Sequence, residues 1–200
     1  MLPVNIHTHR PADGLTTLRT CGIHPWQADA CFVADAAALT RTLGDGLRST
    51  QAIGETGLDF ACTASREAQE RLFRTHLELA ARLRLPVVVH CVRAFEPTMK
   101  ILGEYPLRAV ILHGFIGSVQ QARRAVQRGY WLSFGLRSLG SPRTVAAMRE
   151  VPVESIFLET DDDDITIDDI CRMAAAALGT DPGTLAGQLY ANYKRLIQNG

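Results

Sequence analysis

The sequence predicts an α/β protein whose parallel sheet is closed, or nearly closed, into a barrel. Three observations lead there. Seven short apolar segments alternate with stretches of helical periodicity, the mark of successive βα units. Two of those segments, Pro86-Val87-Val88-Val89 and Ala109-Val110-Ile111-Leu112, are unbroken apolar runs, as in strands buried on both faces. A histidine or a carboxylate stands at the end of nearly every one, and barrels of this kind place their chemistry at the C-terminal ends of strands.

The first segment, Val4-Asn5-Ile6, runs into His7-Thr8-His9. Side chains two apart on a strand share a face, so both imidazoles point to one place. Arg10 to Gly14 is a loop by its Pro and Gly content, and Leu18 to Ile23 is the next strand, ending in His24-Pro25-Trp26. The link from His9 to Leu18 is too short for a helical crossover. Ala34 to Leu47 is a helical stretch with Asp35 in its first turn. Gln51 to Glu55 is a buried strand continued by Gly57 to Phe60 as a loop. Ser65 caps a long helix reaching about Leu83, with Leu72, His76, Leu79 and Leu83 on one face. His76 belongs to that apolar stripe and is expected to be packed rather than reactive.

The strand from Pro86 ends in His90 and leads to a helix over about 95–104. The strand from Ala109 ends in His113. Ser118 and Gln121 form a capping box at the start of a helix that Gly129 closes. Tyr130 to Phe134 is a strand and Pro142 to Met148 a helix. Ser155 to Asp161 is the last strand, and helices over about 167–178 and 182–198 end the chain.

Two hundred residues suit one domain with a sizeable core. Lys plus Arg equals Asp plus Glu at 21 each, so no overall basic field attracts nucleic acid, although a local phosphate site is compatible with this balance. Five cysteines with no Cys-x-x-Cys pair argue for reduced thiols. With no signal segment and no apolar run long enough for a membrane helix, the expected location is the cytoplasm.

His7, His9, Glu55, His90, His113 and Asp161 are the strand-end ligand candidates. Six N/O donors exceed what a single catalytic zinc takes and suit two metals about 3.5–4 Å apart. Glu55, with two oxygens to share, is the natural bridge. Asp161 can bind one ion and accept a proton from the attacking water. The donor set favours zinc, manganese, nickel or iron over magnesium. His24 is assigned to the substrate side. The N-terminus of the Ser118 helix offers free N–H groups to a phosphate, with Gly114 and Gly117 permitting close approach.

Six motifs, in order along the chain, resemble the TatD family: Ile6 to His9, Gly22 to Pro25, Ala52 to Asp59, Val89 to Cys91, His113 to Gly117 and Leu158 to Asp161. Asn192 to Leu196 is similar to the family's closing helix. The resemblance implies a TIM-like (β/α) barrel of the amidohydrolase superfamily, a divalent-metal-dependent hydrolase, and deoxyribonuclease activity on phosphodiester bonds. It gives His7, His9, Glu55 and Asp161 to one metal, and Glu55, His90 and His113 to the other. The chain departs from the pattern in three places. Only fourteen residues separate His9 from His24, so a βα unit is missing and about seven strands are expected. Val92 stands where the family has a phosphate-side arginine, with Arg93 next to it. Asp162-Asp163-Asp164 replaces a Pro- and Arg-containing loop.

The expected function is two-metal hydrolysis of phosphoester bonds, with DNA 3′ ends as one substrate. Two alternatives stand beside it: hydrolysis of a small phosphorylated or amide substrate, and a non-catalytic metal-binding barrel serving as a binding module. The gap left by the missing unit invites homo-oligomerisation. A thiol mechanism through Cys91 is the weakest reading.

Overall fold

A computed structural model describes residues 4–11 and 14–198. Ala12 and Asp13, in the expected loop after His9, lie outside them. In chain order the strands are β1 (Val4–Asn5), β2 (Thr16–Thr17), β3 (Thr20–Cys21), β4 (Ala52–Asp59), β5 (Val87–Val92), β6 (Val110–Leu112), β7 (Trp131–Phe134) and β8 (Ile156–Leu158). The helices are α1 (Ala36–Leu43), α2 (Arg66–Leu83), α3 (Phe95–Leu102), α4 (Val119–Gln127), α5 (Leu136–Leu139), α6 (Pro142–Arg149), α7 (Ile167–Leu178) and α8 (Pro182–Gln198). Among the described residues, no helix is long and apolar enough to cross a membrane.

Each of the seven expected segments carries a strand. The addition is β2, whose β-branched Thr16 and Thr17 pair in parallel with Val4 and Asn5. Two helical expectations change. Asp35 is the N-cap of α1 rather than part of its first turn, its carboxylate accepting from the Ala38 N–H. Gly44, at φ 53°, turns the chain out of α1, so Gly44–Arg48 is a separate 3-10 turn. The four-residue α5 carries too little periodicity to be read from sequence.

The chain forms two compact units. The first is Arg19–Ile111. Here β3 pairs in parallel with β4, and β4 with β5; the Val87 N–H donates to the Ala109 carbonyl at 2.9 Å. The expected loop after Glu55 is instead strand, for β4 runs on to Asp59. Its register against β5 shifts between Ile53 and Thr56, a bulge that re-aims the side chains around it. Two glycines make this possible. A Cβ on Gly57 (φ 140°) would lie 2.0 Å from the His90 carbonyl oxygen, and one on Gly54 (φ 146°) 2.6 Å from that of Val88. The long helix α2 lies on β4, capped by Ser65. His76 is fully buried within it: Nδ1 donates to the Leu72 carbonyl and Nε2 accepts from the Ile23 N–H.

The second unit joins the stretch up to Leu18 with that from Leu112 onward. Here β2 pairs with β1, and β7 with β8. The Ile6 N–H donates to the Leu158 carbonyl at 3.0 Å, setting β1 beside β8. Phe134, Phe157, Ile6 and Leu158 fill the core, with Trp131 stacked on Phe157. Asn192 on α8 donates to the carbonyls of Val153 and Ile156, which fastens the closing helix to the start of β8.

Candidate metal-binding site residues

In the Arg19–Ile111 unit, β4 and β5 bring Glu55 and His90 together. Nδ1 of His90 lies 2.8 Å from Oε1 of Glu55. His24, at the end of the segment after β3, places Nε2 3.3 Å from the same oxygen. Ligand atoms of His24, Glu55 and His90 all lie within 4.8 Å of one another. Nδ1 of His24 accepts from the Trp26 N–H, capping the short 3-10 turn Pro25–Gln27. The neutral ring therefore carries its proton on Nε2, the nitrogen turned towards Glu55.

The other face of His90 meets a residue to which the sequence reading gave no role. Nε2 of His90 is 3.1 Å from Oδ2 of Asp59, and the Trp26 indole N–H donates to that same oxygen at 2.7 Å. Burial pushes the Asp59 carboxyl up. The donors Trp26, Ala61 and His90 outweigh it and hold the group below the usual aspartate range.

In the other unit, Asp161 is the common member of two triplets, His7-His9-Asp161 and His113-Glu159-Asp161. Its Oδ1 lies 3.6 Å from Nε2 of His7 and 3.5 Å from Nε2 of His9. The ring centroids of His7 and His113 are 4.4 Å apart. A parallel bridge between Thr8 and Asp161 holds β1 in register with the end of β8: the His9 N–H donates to the Asp161 carbonyl, and the Asp161 N–H to that of His7. Asn5 and Thr160 clamp the pair from below through Nδ2 to Oγ1 and Thr160 N to Oδ1 contacts.

Glu159 is the second residue missed. It stands two before Asp161 and is 1% exposed, and among the described residues neither carboxylate oxygen has a hydrogen bond in good geometry. Nδ1 of His113 lies 3.5 Å from its Oε1. Burial alone would raise this carboxyl, but His113 and the nearby His7 draw it below the usual glutamate range. A buried carboxylate short of donors, set among imidazoles, fits a cation-binding environment.

The remaining expectations fall as follows. Arg93 is exposed at the end of β5, in a left-handed conformation (φ 51°) that turns the chain away from the strand. At the start of α4, the Ser118 and Gln121 N–H groups are engaged by the reciprocal capping box, which leaves fewer donors for a phosphate. Asp162 and Asp164 are exposed, and Asp164 lies 3.6 Å from Arg10. Burial pushes the Cys91 thiol up, away from thiolate chemistry.

The family described as TatD related DNase matches residues 8–198. The 3′-5′ ssDNA/RNA exonuclease TatD of Cronobacter sakazakii is 35% identical over 148 residues, covering 71% of this chain and 56% of that protein. The uncharacterized metal-dependent hydrolase YjjV of Escherichia coli is 34% identical over 151 residues, 73% of this chain and 58% of its own length. The chain thus matches little more than half the length of these relatives. The crystal structure of YjjV, a TatD homologue, superposes with a TM-score of 0.80 at 25% identity, covering 91% of this chain and 77% of that one. The fold class is accordingly the TIM-barrel-like α/β class in reduced form, and the chain belongs to the TatD family.

Proposed function

We propose that the chain is a divalent-metal-dependent hydrolase of phosphoester bonds, acting on nucleic acid from the 3′ end. The observation that carries the metal dependence is the grouping of His7, His9 and Asp161, whose ligand atoms lie within 4.8 Å of one another. The buried Glu159 carboxylate, grouped with His113 and Asp161, supports it, and so does the name of the Cronobacter relative, a 3′-5′ ssDNA/RNA exonuclease. His7, His9, His113 and Asp161 in one unit, and Glu55 and His90 in the other, are the residues that would hold divalent ions. Such ions supply Lewis acidity, withdrawing charge from a phosphoryl oxygen and making water more acidic.

The protein groups take the remaining parts. Asp161 is about a third exposed at 32%, so it stays in exchange with solvent and accepts the proton of the attacking water. Water oxygen bonds to phosphorus, and the bond to the leaving alkoxide breaks. His24, with its proton on Nε2, donates to an oxygen of the substrate. Arg93 meets a phosphate from the end of β5. The exposed Asp162 and Asp164 favour a second reading, a small phosphorylated or amide substrate, because that loop repels a polyanion.

The test is metal content per chain by mass spectrometry, with turnover of a 3′-labelled single strand measured alongside. Close to two ions is the expected result. Glu55→Ala and Asp161→Ala should lower occupancy and reduce turnover by about a hundredfold or more. Full turnover in either variant would overturn the proposal. Turnover of small phosphoesters without cleavage of oligonucleotides would favour the second reading.

A further inference from the structure

Trp26 is held the opposite way from most tryptophans. An indole is a large apolar surface with one polar N–H, and the ring is ordinarily the part most worth burying. Here the N–H points inward to the buried Asp59 carboxylate at 2.7 Å, while the side chain as a whole is 64% exposed. The backbone that carries the ring is held as well. Pro25 begins the 3-10 turn, the backbone N–H of Trp26 is tied to Nδ1 of His24, and the same loop is pinned to the start of α2 by the Ser65 N–H donating to Asp29. The bond to Asp59 holds the indole in place before any ligand arrives, which lowers the ordering cost of binding.

That face borders the Glu55 cluster. The Trp26 ring meets His24 edge-on at 4.7 Å and His90 at 6.4 Å between centroids. A flat group attached to a phosphate bound beside His90 is within reach of the indole. Elsewhere in the unit the Arg71 guanidinium lies over the exposed Phe32 ring at 5.1 Å, and Arg66 over Phe60 at 4.3 Å, so those faces are covered and Trp26 is the aromatic beside the cluster.

We propose that Trp26 is the stacking platform for a nucleobase of a single-stranded substrate, held face-outward by Asp59. This rests on the nucleic-acid reading of the active site and deepens it. A paired base has both faces covered by its neighbours, so the platform selects single strands and ends over duplex. It is also indifferent to base identity, since every base has a π-face.

The chain has two tryptophans, so Trp131→Phe leaves Trp26 as the sole indole emitter. In that protein, a phosphorothioate oligothymidylate and an abasic oligomer of equal length are titrated while indole fluorescence is followed. The base-bearing strand should quench Trp26 and bind about tenfold more tightly than the abasic one. Trp26→Leu lacks that emitter and is followed instead by the anisotropy of fluorescein-labelled strands, as is the parent for comparison; it should bind the base-bearing strand about tenfold more weakly, level with the abasic strand, and should keep the abasic affinity of the parent, which also reports an intact fold. Trp26→Phe, which keeps a ring face but loses the bond to Asp59, should recover only part of the difference. Equal binding of both strands by the parent, or an unchanged affinity in Trp26→Leu, would overturn the platform. If the parent cleaves single strands yet Trp26→Leu behaves like it, only the platform falls. If the parent neither binds nor cleaves any oligonucleotide, the nucleic-acid reading falls with it.

Discussion

Nε2 of His90 stands 3.1 Å from Oδ2 of Asp59, while its Nδ1 faces Glu55. A carboxylate behind one ring nitrogen fixes the tautomer and makes the other nitrogen the better donor to a metal. Asp59 itself is kept ionised by Trp26 and Ala61, so the relation is built into the fold of one unit.

Asp59→Asn keeps a hydrogen-bond acceptor for the indole but removes the charge. Metal affinity should fall by about 10- to 100-fold with the fold retained. Competition against a chromophoric chelator measures this. An affinity equal to the parent's would show that Asp59 serves only to hold Trp26.

Glu159 is a buried carboxylate whose natural complement is positive charge, from His113 and His7 or from a bound ion. Glu159→Gln should therefore reduce the stabilisation conferred by metal. A tenfold loss of affinity corresponds to about 1.4 kcal/mol, or about 3–5 °C less gain in Tm on adding zinc or manganese. Calorimetry with and without metal decides. A gain equal to the parent's removes Glu159 from the site.

Burial lowers the His76 pKa from 6.5 to about 4, despite its bond to the Leu72 carbonyl. The unfolded chain binds this proton more readily than the folded one, so the sign is clear. Stability is full above about pH 6.5 and declines as pH falls towards 4, by about 3 kcal/mol across the window. Urea unfolding at several pH values should show this decline, and His76→Gln should flatten part of it. A His76→Gln profile as steep as the parent's would refute the assignment.

Gly57→Ala would put a methyl 2.0 Å from the His90 carbonyl oxygen at a φ of 140°, where other residues are strained. Destabilisation of about 3 kcal/mol or more follows, with a Tm lower by about 6–12 °C. Gly114→Ala is the contrast, with its closest contact at 3.4 Å. It should cost about 1–2 kcal/mol, from its left-handed φ of 52°. Equal losses in the two variants would count against the close approach of β4 to β5.

Much of this protein is legible in the order of its residues. An apolar run followed by a polar residue marks both a strand and its end, so His7, His90, His113 and Asp161 could be placed without coordinates. The bounds of α7 and α8 follow from caps and periodicity in the same way. Where local signals compete, the sequence was less decisive. Gly44 divided the expected first helix, and Gly54 and Gly57, ordinarily loop residues, turned out to permit the continuation of β4.

The partners of the ligands belong to tertiary structure. Asp59 reaches His90 because β4 and β5 pair with Gly57 opposite His90, a register set by a bulge that no local pattern announces. Trp26 faces outward because its indole N–H finds that same Asp59, thirty-three residues away. Glu159 is an ordinary motif glutamate until the fold buries it beside His113. Periodicity is a property of one segment, and it determines which residues share a face. Which charge meets which ring depends on how segments far apart in sequence are laid side by side, and only the folded chain decides that.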